Sequence, residues 1–264
     1  MADGSVELIG HVAVVTGGTR GVGAAITETL LAAGAEVIIC GRGDPGENRE
    51  IVGPDDAGRQ ASFVQADIRD ADDAARVVAA ATEQHGHLDL LVNNAGGSPQ
   101  AYAATASPRF VTAIVSLNLL APFFCAQAAN AVMQDQEEGG QIINIGSVAA
   151  LRPSPGTAAY AAAKAGLINL TESLAVEWAP KVRVNCISAG LLDSGAGPEH
   201  YGGHEGMARV AATVPLGRMG TPDDVAGLVL ALAGPFTPYL SGANVVLHGG
   251  GEWPAFLRAA EGGP

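Results

Sequence analysis

At 264 residues the chain is long enough to bury the core of one large α/β domain, and its 14 Lys and Arg against 27 Asp and Glu leave a formal charge of −13. That balance disfavours nucleic acid and anionic membrane as partners, because both attract basic surfaces. Cys40, Cys125 and Cys186 are scattered through apolar stretches without metal-ligand spacing, so they read as reduced core residues of a cytoplasmic protein that has no metal site. The N-terminus carries neither a basic n-region nor an apolar h-region, and no run of about eighteen uncharged apolar residues occurs.

The first predicted strand is ValAlaValVal at 12–15, followed by Gly17, Gly21 and Gly23 and then an amphipathic helix through Ile26, Leu30 and Leu31. A strand turning through glycines into a helix lets backbone N–H groups approach a pyrophosphate, whose charge the helix N-terminus stabilises. GluValIleIleCys at 36–40 is the second strand. Residues 42–60 carry so many glycines and prolines that a loop is expected.

AlaSerPheValGln at 61–65 is a third strand, and a helix follows from Ala71 to about His85. After LeuAspLeuLeuVal at 88–92 comes the segment AsnAsnAlaGly, a strand-ending turn by composition. A helical run from Pro108 to Met133 contains Pro122, which cannot donate to the carbonyl of Asn118 and predicts a kink there. GlnIleIleAsnIle at 141–145, a helix bearing Tyr160 and Lys164, ValArgValAsnCysIle at 182–187 and AsnValValLeu at 244–247 complete the pattern. Apolar strands alternating with helices predict one Rossmann-like α/β domain over 1–264, a doubly wound parallel sheet of about seven strands. The glycine-rich stretch 191–214, with His200, Tyr201 and His204, is expected to be a mobile substrate lid. The tail 251–264, bearing Trp253, Phe256 and Leu257, is expected to pack over a cleft or against the core.

Tyr160 and Lys164, four residues apart, share one face of a helix, with Ser147 thirteen residues upstream of the tyrosine. A cation beside a phenol favours the phenolate, and two or three pKa units at ~1.36 kcal/mol each would bring proton exchange near neutral pH. An exposed pair supplies only ~0.5 kcal/mol. A pair about 4 Å apart at an effective dielectric of ~20 supplies roughly 4 kcal/mol, so the chemistry requires a cleft.

ThrGlyGlyThrArgGlyValGly at 16–23, Asp67-Ile68, AsnAsnAlaGly at 93–96, Asn118, Ser147 and Tyr160-x-x-x-Lys164 stand in one order, and over nearly its whole length the chain resembles the short-chain dehydrogenase/reductase superfamily, small single-domain type. The resemblance implies that Tyr160 is the general acid/base, that Lys164 lowers its pKa and bonds the nicotinamide ribose, that Ser147 orients the substrate carbonyl, and that Asn118 holds a water linking Lys164 to solvent. It implies cofactor contacts from Gly17, Thr19, Arg20, Gly21, Val22, Gly23, Asp67, Ile68, Asn93, Asn94, Ala95, Gly96, Gly190, Leu192 and Ser194. Departures from the family pattern are Gly146 where serine is common, Ala189 where proline is, and His248 where aspartate is.

At the end of the second strand an acidic residue would bond the ribose 2′-hydroxyl, whereas arginine accommodates a 2′-phosphate. Here Gly41 stands at that place with Arg42 next and Arg20 in the glycine loop, which favours NADP(H) over NAD(H). The expected activity is interconversion of a secondary alcohol and a ketone, with a hydrophobic, alicyclic or steroid-like substrate. Alternatives are a reductase of 3-oxoacyl thioesters on carrier protein or coenzyme A, and a non-catalytic NADP(H) sensor. The resemblance also implies a homotetramer or homodimer.

Overall fold

A computed structural model of the protein describes residues 6–43, 58–193 and 201–260. Seven strands form one wholly parallel sheet in the order β3-β2-β1-β4-β5-β6-β7. They are β1 (Val12–Thr16), β2 (Glu36–Gly41), β3 (Ser62–Gln65), β4 (Leu90–Asn93), β5 (Gly140–Ser147), β6 (Val182–Ala189) and β7 (Asn244–Leu247). The expected class and strand segments agree with this sheet.

The central strands are continuous apolar runs because both faces are covered. Along β1, Val12 and Val14 enter one core while Ala13 and Val15 enter the other; Ile38 and Cys40 of β2 alternate with Val37 and Ile39 in the same way. One core packs under α2 (Ala71–His85), α4 (Ala121–Asp135) and α5 (Ala158–Glu177), the other under α1 (Gly21–Ala32) and α7 (Pro222–Ala233). Cys40, Cys125 and Cys186 are buried free thiols.

The chain runs outward from β1 through β2 to β3, then returns to start β4 on the other side of β1. This reversal opens a crevice at the carboxyl ends of β1 and β4, the place where doubly wound sheets bind ligands. The glycine turn, the AsnAsnAlaGly segment and Ser147 all leave strands at that edge.

The run beginning at Pro108 is two α-helices joined by a π-helical turn: α3 (Pro108–Val115), the turn Ser116–Leu120, then α4. The Ala121 N–H reaches five residues back to the Ser116 carbonyl, one residue more than in a regular helix. The predicted kink is therefore an inserted residue, and Pro122 falls in the first turn of α4, where a missing N–H is tolerated. Pro108–Asp135 has the length and apolar composition of a membrane-crossing helix, yet Ala121, Cys125, Ala126, Ala129 and Met133 are buried in the core.

Two expected loops are only partly covered. Residues 44–57 of the second-strand crossover and 194–200 of the lid, with Ser194 and His200, lie outside the described residues. The described part of the lid contains a helix, α6 (Gly203–Ala211). The tail forms α8 (Ala255–Ala260), with Trp253, Phe256 and Leu257 exposed.

Candidate active site

The turn after β1 is built for close backbone approach. Gly17 has φ +65°, a region side chains avoid. A Cβ on Gly23 would lie 2.1 Å from the Gly17 carbonyl oxygen, so only glycine lets α1 begin so near the strand. The first turn of α1 has no acidic residue and its N-cap, Arg20, no side-chain cap, which leaves its N–H groups for an anion. These features fit the pyrophosphate of a dinucleotide.

Thr16 holds this turn against β4. Its Oγ1 accepts from the backbone N–H groups of Asn94 and Ala95, each at 3.0 Å. The Asn94 amide donates to the Thr16 carbonyl at 3.0 Å and the Gly17 carbonyl at 3.3 Å. Thr16 was not among the expected site residues; its place directly before the glycines is the signal that marks it. Val22 and Leu192 turn their side chains toward the α1 and α7 core, and Ile68 is buried in the other core. Only the backbone of Ile68 is left for a cofactor, whereas Val22 and Leu192 are half-buried. Thr19 stands beside Gly41, where a Cβ would be 3.9 Å from its methyl group, and Gly190 donates its N–H to the Leu247 carbonyl at 2.8 Å.

Asn93 does not line the crevice as expected. It is 1% exposed and its amide donates to Asn144 Oδ1 at 2.9 Å and to the Pro122 carbonyl at 3.1 Å, bracing the sheet against the start of α4. Alternation along β4 turns it inward. Asn118, also buried, is fully engaged: its Oδ1 accepts from the Gly97 N–H at 2.9 Å, and its amide donates to Gly97 and Ile114 carbonyls at 3.0 and 2.9 Å.

Lys164 is buried and donates to the Ile145 carbonyl at 2.7 Å, with its Nζ 5.8 Å from the centre of the Tyr160 ring. A Cβ on Gly96 would lie 3.3 Å from that Nζ and 2.8 Å from Asn118 Oδ1, so Gly96 brings the AsnAsnAlaGly turn against Lys164 of α5. Burial pushes the Lys164 ammonium down to about 8.

Burial raises the Tyr160 phenol above its ordinary value, and the hydrogen bond from Ser147 opposes it. The sequence had assigned this lowering to the lysine. In the structure the ammonium is directed at a backbone carbonyl, so the serine supplies the opposing interaction instead. Ser147 is itself fixed by the Ala149 N–H, which donates to its Oγ at 3.2 Å.

Gly146 has a local physical reason. A Cβ there would sit 2.7 Å from Cys186 Sγ and 3.0 Å from Ser188 Oγ on β6. Gly146→Ser is expected to destabilise by about 1–3 kcal/mol, as overpacked cores do, with part of the loss recovered by adding Cys186→Ala. Urea unfolding of the three proteins checks this, and a neutral single substitution would contradict it.

Beyond the carboxyl ends of β1 and β2, Arg20 and Arg42 are exposed, and a Cβ on Gly41 would contact only Phe63 and Thr19 at 3.5 Å or more. Asp67 forms an ion pair with Arg69. A shallow groove of about 370 Å³ lies between Asp67, Arg69 and Asp70 on one side and Ala113 and Ser116 on the other.

Three segments meet at the other end. Arg152, in the loop beyond Ser147, pairs with Glu252 of the tail. Trp253 donates its N–H to the Thr213 carbonyl at 3.0 Å, and Leu216 donates to Gly249 at 3.1 Å, joining the tail to the lid.

This combination of crevice, glycine turn and Ser-Tyr-Lys set defines a nucleotide-dependent oxidoreductase. A family model described as Enoyl-(Acyl carrier protein) reductase matches residues 17–252, and the chain belongs to that family, within the short-chain dehydrogenase/reductase superfamily of NAD(P)-dependent oxidoreductases. It is 33% identical over 245 residues to a Bacillus subtilis protein named "Probable 2,4-dienoyl-CoA reductase [(2E)-enoyl-CoA-producing]", covering 91% of this chain and 95% of that one. It is 35% identical to the L-rhamnose 1-dehydrogenase (NAD(P)(+)) of Azotobacter vinelandii, covering 92% and 97%. Among solved structures, the Pseudomonas aeruginosa RhlG/NADP active-site complex superposes with a TM-score of 0.83 at 32% identity, covering 92% of this chain and 97% of that chain.

Proposed function

We propose that the protein interconverts a secondary alcohol and a ketone, with Tyr160 as general acid/base and NADP(H) as the preferred dinucleotide. The observation that carries this reading is the placement of Ser147 at the end of β5 beside Tyr160 and Lys164 on α5, the Lys164 Nζ lying 5.8 Å from the centre of the Tyr160 ring. Bound across the crevice, the dinucleotide supplies or accepts the hydride.

Ser147 Oγ, fixed from Ala149, orients the substrate oxygen, and Tyr160 Oη gives that oxygen a proton in reduction or takes one in oxidation. Lys164 Nζ, held at the Ile145 carbonyl, is placed to bond the ribose hydroxyls. The Asn118 side chain is already committed to Gly97 and Ile114, so the water of the proton relay falls to its backbone carbonyl, which Pro122 has no N–H to engage.

Arg20 and Arg42, with no carboxylate at Gly41, support the 2′-phosphate. Arg42→Asp is expected to reverse a preference for NADPH over NADH, shifting the kcat/KM ratio by about tenfold or more, the size of one hydrogen bond to a charged group. A parent that already prefers NADH would reduce both arginines to solvated bystanders.

A neutral, hydrophobic substrate fits the site mouth. Tyr102, Leu151, Leu216 and Trp253 are exposed on the segments around it, while Arg152 and Arg209 are paired with Glu252 and Glu205. Thioester reduction is the second reading, supported by the Bacillus subtilis relative's name; its anionic carrier would have to compete with those carboxylates. NADPH oxidation followed by absorbance across cyclic ketones, steroid-like ketones and 3-oxoacyl thioesters separates the two. Binding without turnover of any carbonyl would favour the sensor. A cytoplasmic homodimer or homotetramer completes the proposal, supported by the small exposed residues Ala162 and Ala165 on α5.

A further inference from the structure

The carboxylate beside the adenosine end of the crevice is already engaged. Arg69 Nε donates to Asp67 Oδ1 at 2.8 Å and to Oδ2 at 3.1 Å, Arg69 Nη2 closes on Oδ2, and the Arg69 backbone N–H donates to Oδ1 at 3.2 Å. Both oxygens therefore face one guanidinium, in the geometry that makes arginine the strongest partner of a carboxylate. The segment is held from below as well: the Asp67 N–H donates to Asp73 Oδ2 at 2.7 Å, and Asp73 accepts from Arg76 at 2.6 Å. Arg69 and the more distant Arg42 hold the Asp67 carboxyl below its ordinary value, so it remains ionised and paired across the physiological range.

A free carboxylate at this place would distinguish purines by their 6-position. It accepts from the 6-amino group of adenine and repels the 6-oxygen of hypoxanthine. A carboxylate covered by a guanidinium does neither. The pair is only partly exposed, 35% for Arg69 and 37% for Asp67, and both residues line the groove that a purine would enter.

We propose that Arg69 is a specificity-determining residue that silences Asp67, so that the adenosine end is bound by shape and stacking and dinucleotides with 6-amino and 6-oxo purines are accepted alike. This rests on the reading that a dinucleotide lies across the crevice with its purine beside Asp67.

The test is the dissociation constant of NADPH and of its hypoxanthine analogue, measured by calorimetric titration without substrate. It is applied to the parent, to Arg69→Ala and to Arg69→Ala with Asp67→Asn. In the parent the two constants are expected to agree within about threefold. Arg69→Ala is expected to favour the adenine form by about tenfold or more, because the freed carboxylate gains a charged hydrogen bond. The double variant returns to the parent ratio, which a merely structural role for Arg69 would not produce.

A parent that discriminates by about tenfold, or an unchanged ratio in Arg69→Ala, overturns the proposal while leaving the dinucleotide site intact. Failure of the parent to bind either compound overturns the dinucleotide reading and this proposal with it.

Discussion

Tyr160→Phe is expected to lower turnover by about 10²- to 10⁴-fold, the usual contribution of a positioned general acid/base, while dinucleotide affinity stays within about twofold. The ring remains to fill its place on α5 near Lys164, whose Nζ lies 5.8 Å from the ring centre, so packing around the lysine is retained. What disappears is the hydroxyl proposed to exchange the proton with substrate. Single-turnover kinetics with a cofactor titration measure both quantities. Turnover above about one tenth of the parent would remove Tyr160 from this role, since water cannot replace a positioned acid so well.

Lys164→Met tests the other half of the pair and should separate activity from stability. Turnover is expected to fall at least about 10²-fold, because the ribose contact that positions the dinucleotide is lost. Its stability effect has a pH signature. Burial lowers the folded-state value to about 8 from an ordinary 10.5. Below about 8 the lysine is protonated in both states and the folded protein carries the full burden of a buried ammonium. Between about 8 and 10.5 the unfolded chain binds the extra proton, so the parent gains stability as pH rises.

Methionine has no such term. The melting temperature of Lys164→Met relative to the parent should therefore move in the parent's favour from pH 7.5 to 9.5, by about 2 kcal/mol of a span of roughly 3 kcal/mol that is complete only above pH 10.5. The absolute sign at neutral pH depends on the Ile145 carbonyl, which loses its donor at a cost of about 1–3 kcal/mol. A difference that stays constant with pH would show that Lys164 is not a strained buried charge.

The parallel sheet was legible because its strands are buried on both faces and therefore read as unbroken apolar runs between helical periods. The proposed catalytic pair was legible as spacing, since four residues on a helix are enough to place Tyr160 and Lys164 on one face. Less legible were residues whose effect depends on what stands opposite them. Asn93 and Asn94 are adjacent and chemically identical, yet one braces the core against Asn144 and Pro122 while the other holds the glycine turn. Strand alternation separates them only once the strand's end is known. Thr16 looked like the end of an apolar strand, although its hydroxyl joins that strand to the AsnAsnAlaGly turn 78 residues away.

The sequence by itself determined the class of fold, the glycine turn at an uncapped helix start and the residues available for proton transfer, because these follow from periodicity and spacing along one element. Tertiary structure alone decided which partner each group meets. Lys164 is directed at a β5 carbonyl, so Ser147 rather than the lysine opposes the rise of the Tyr160 phenol. Cys186 occupies the space that makes 146 a glycine, and Arg69 covers Asp67. Each depends on distances set by sheet register and helix packing, and hydrogen bonds and charge interactions fall off too steeply with distance for sequence separation to stand in for them.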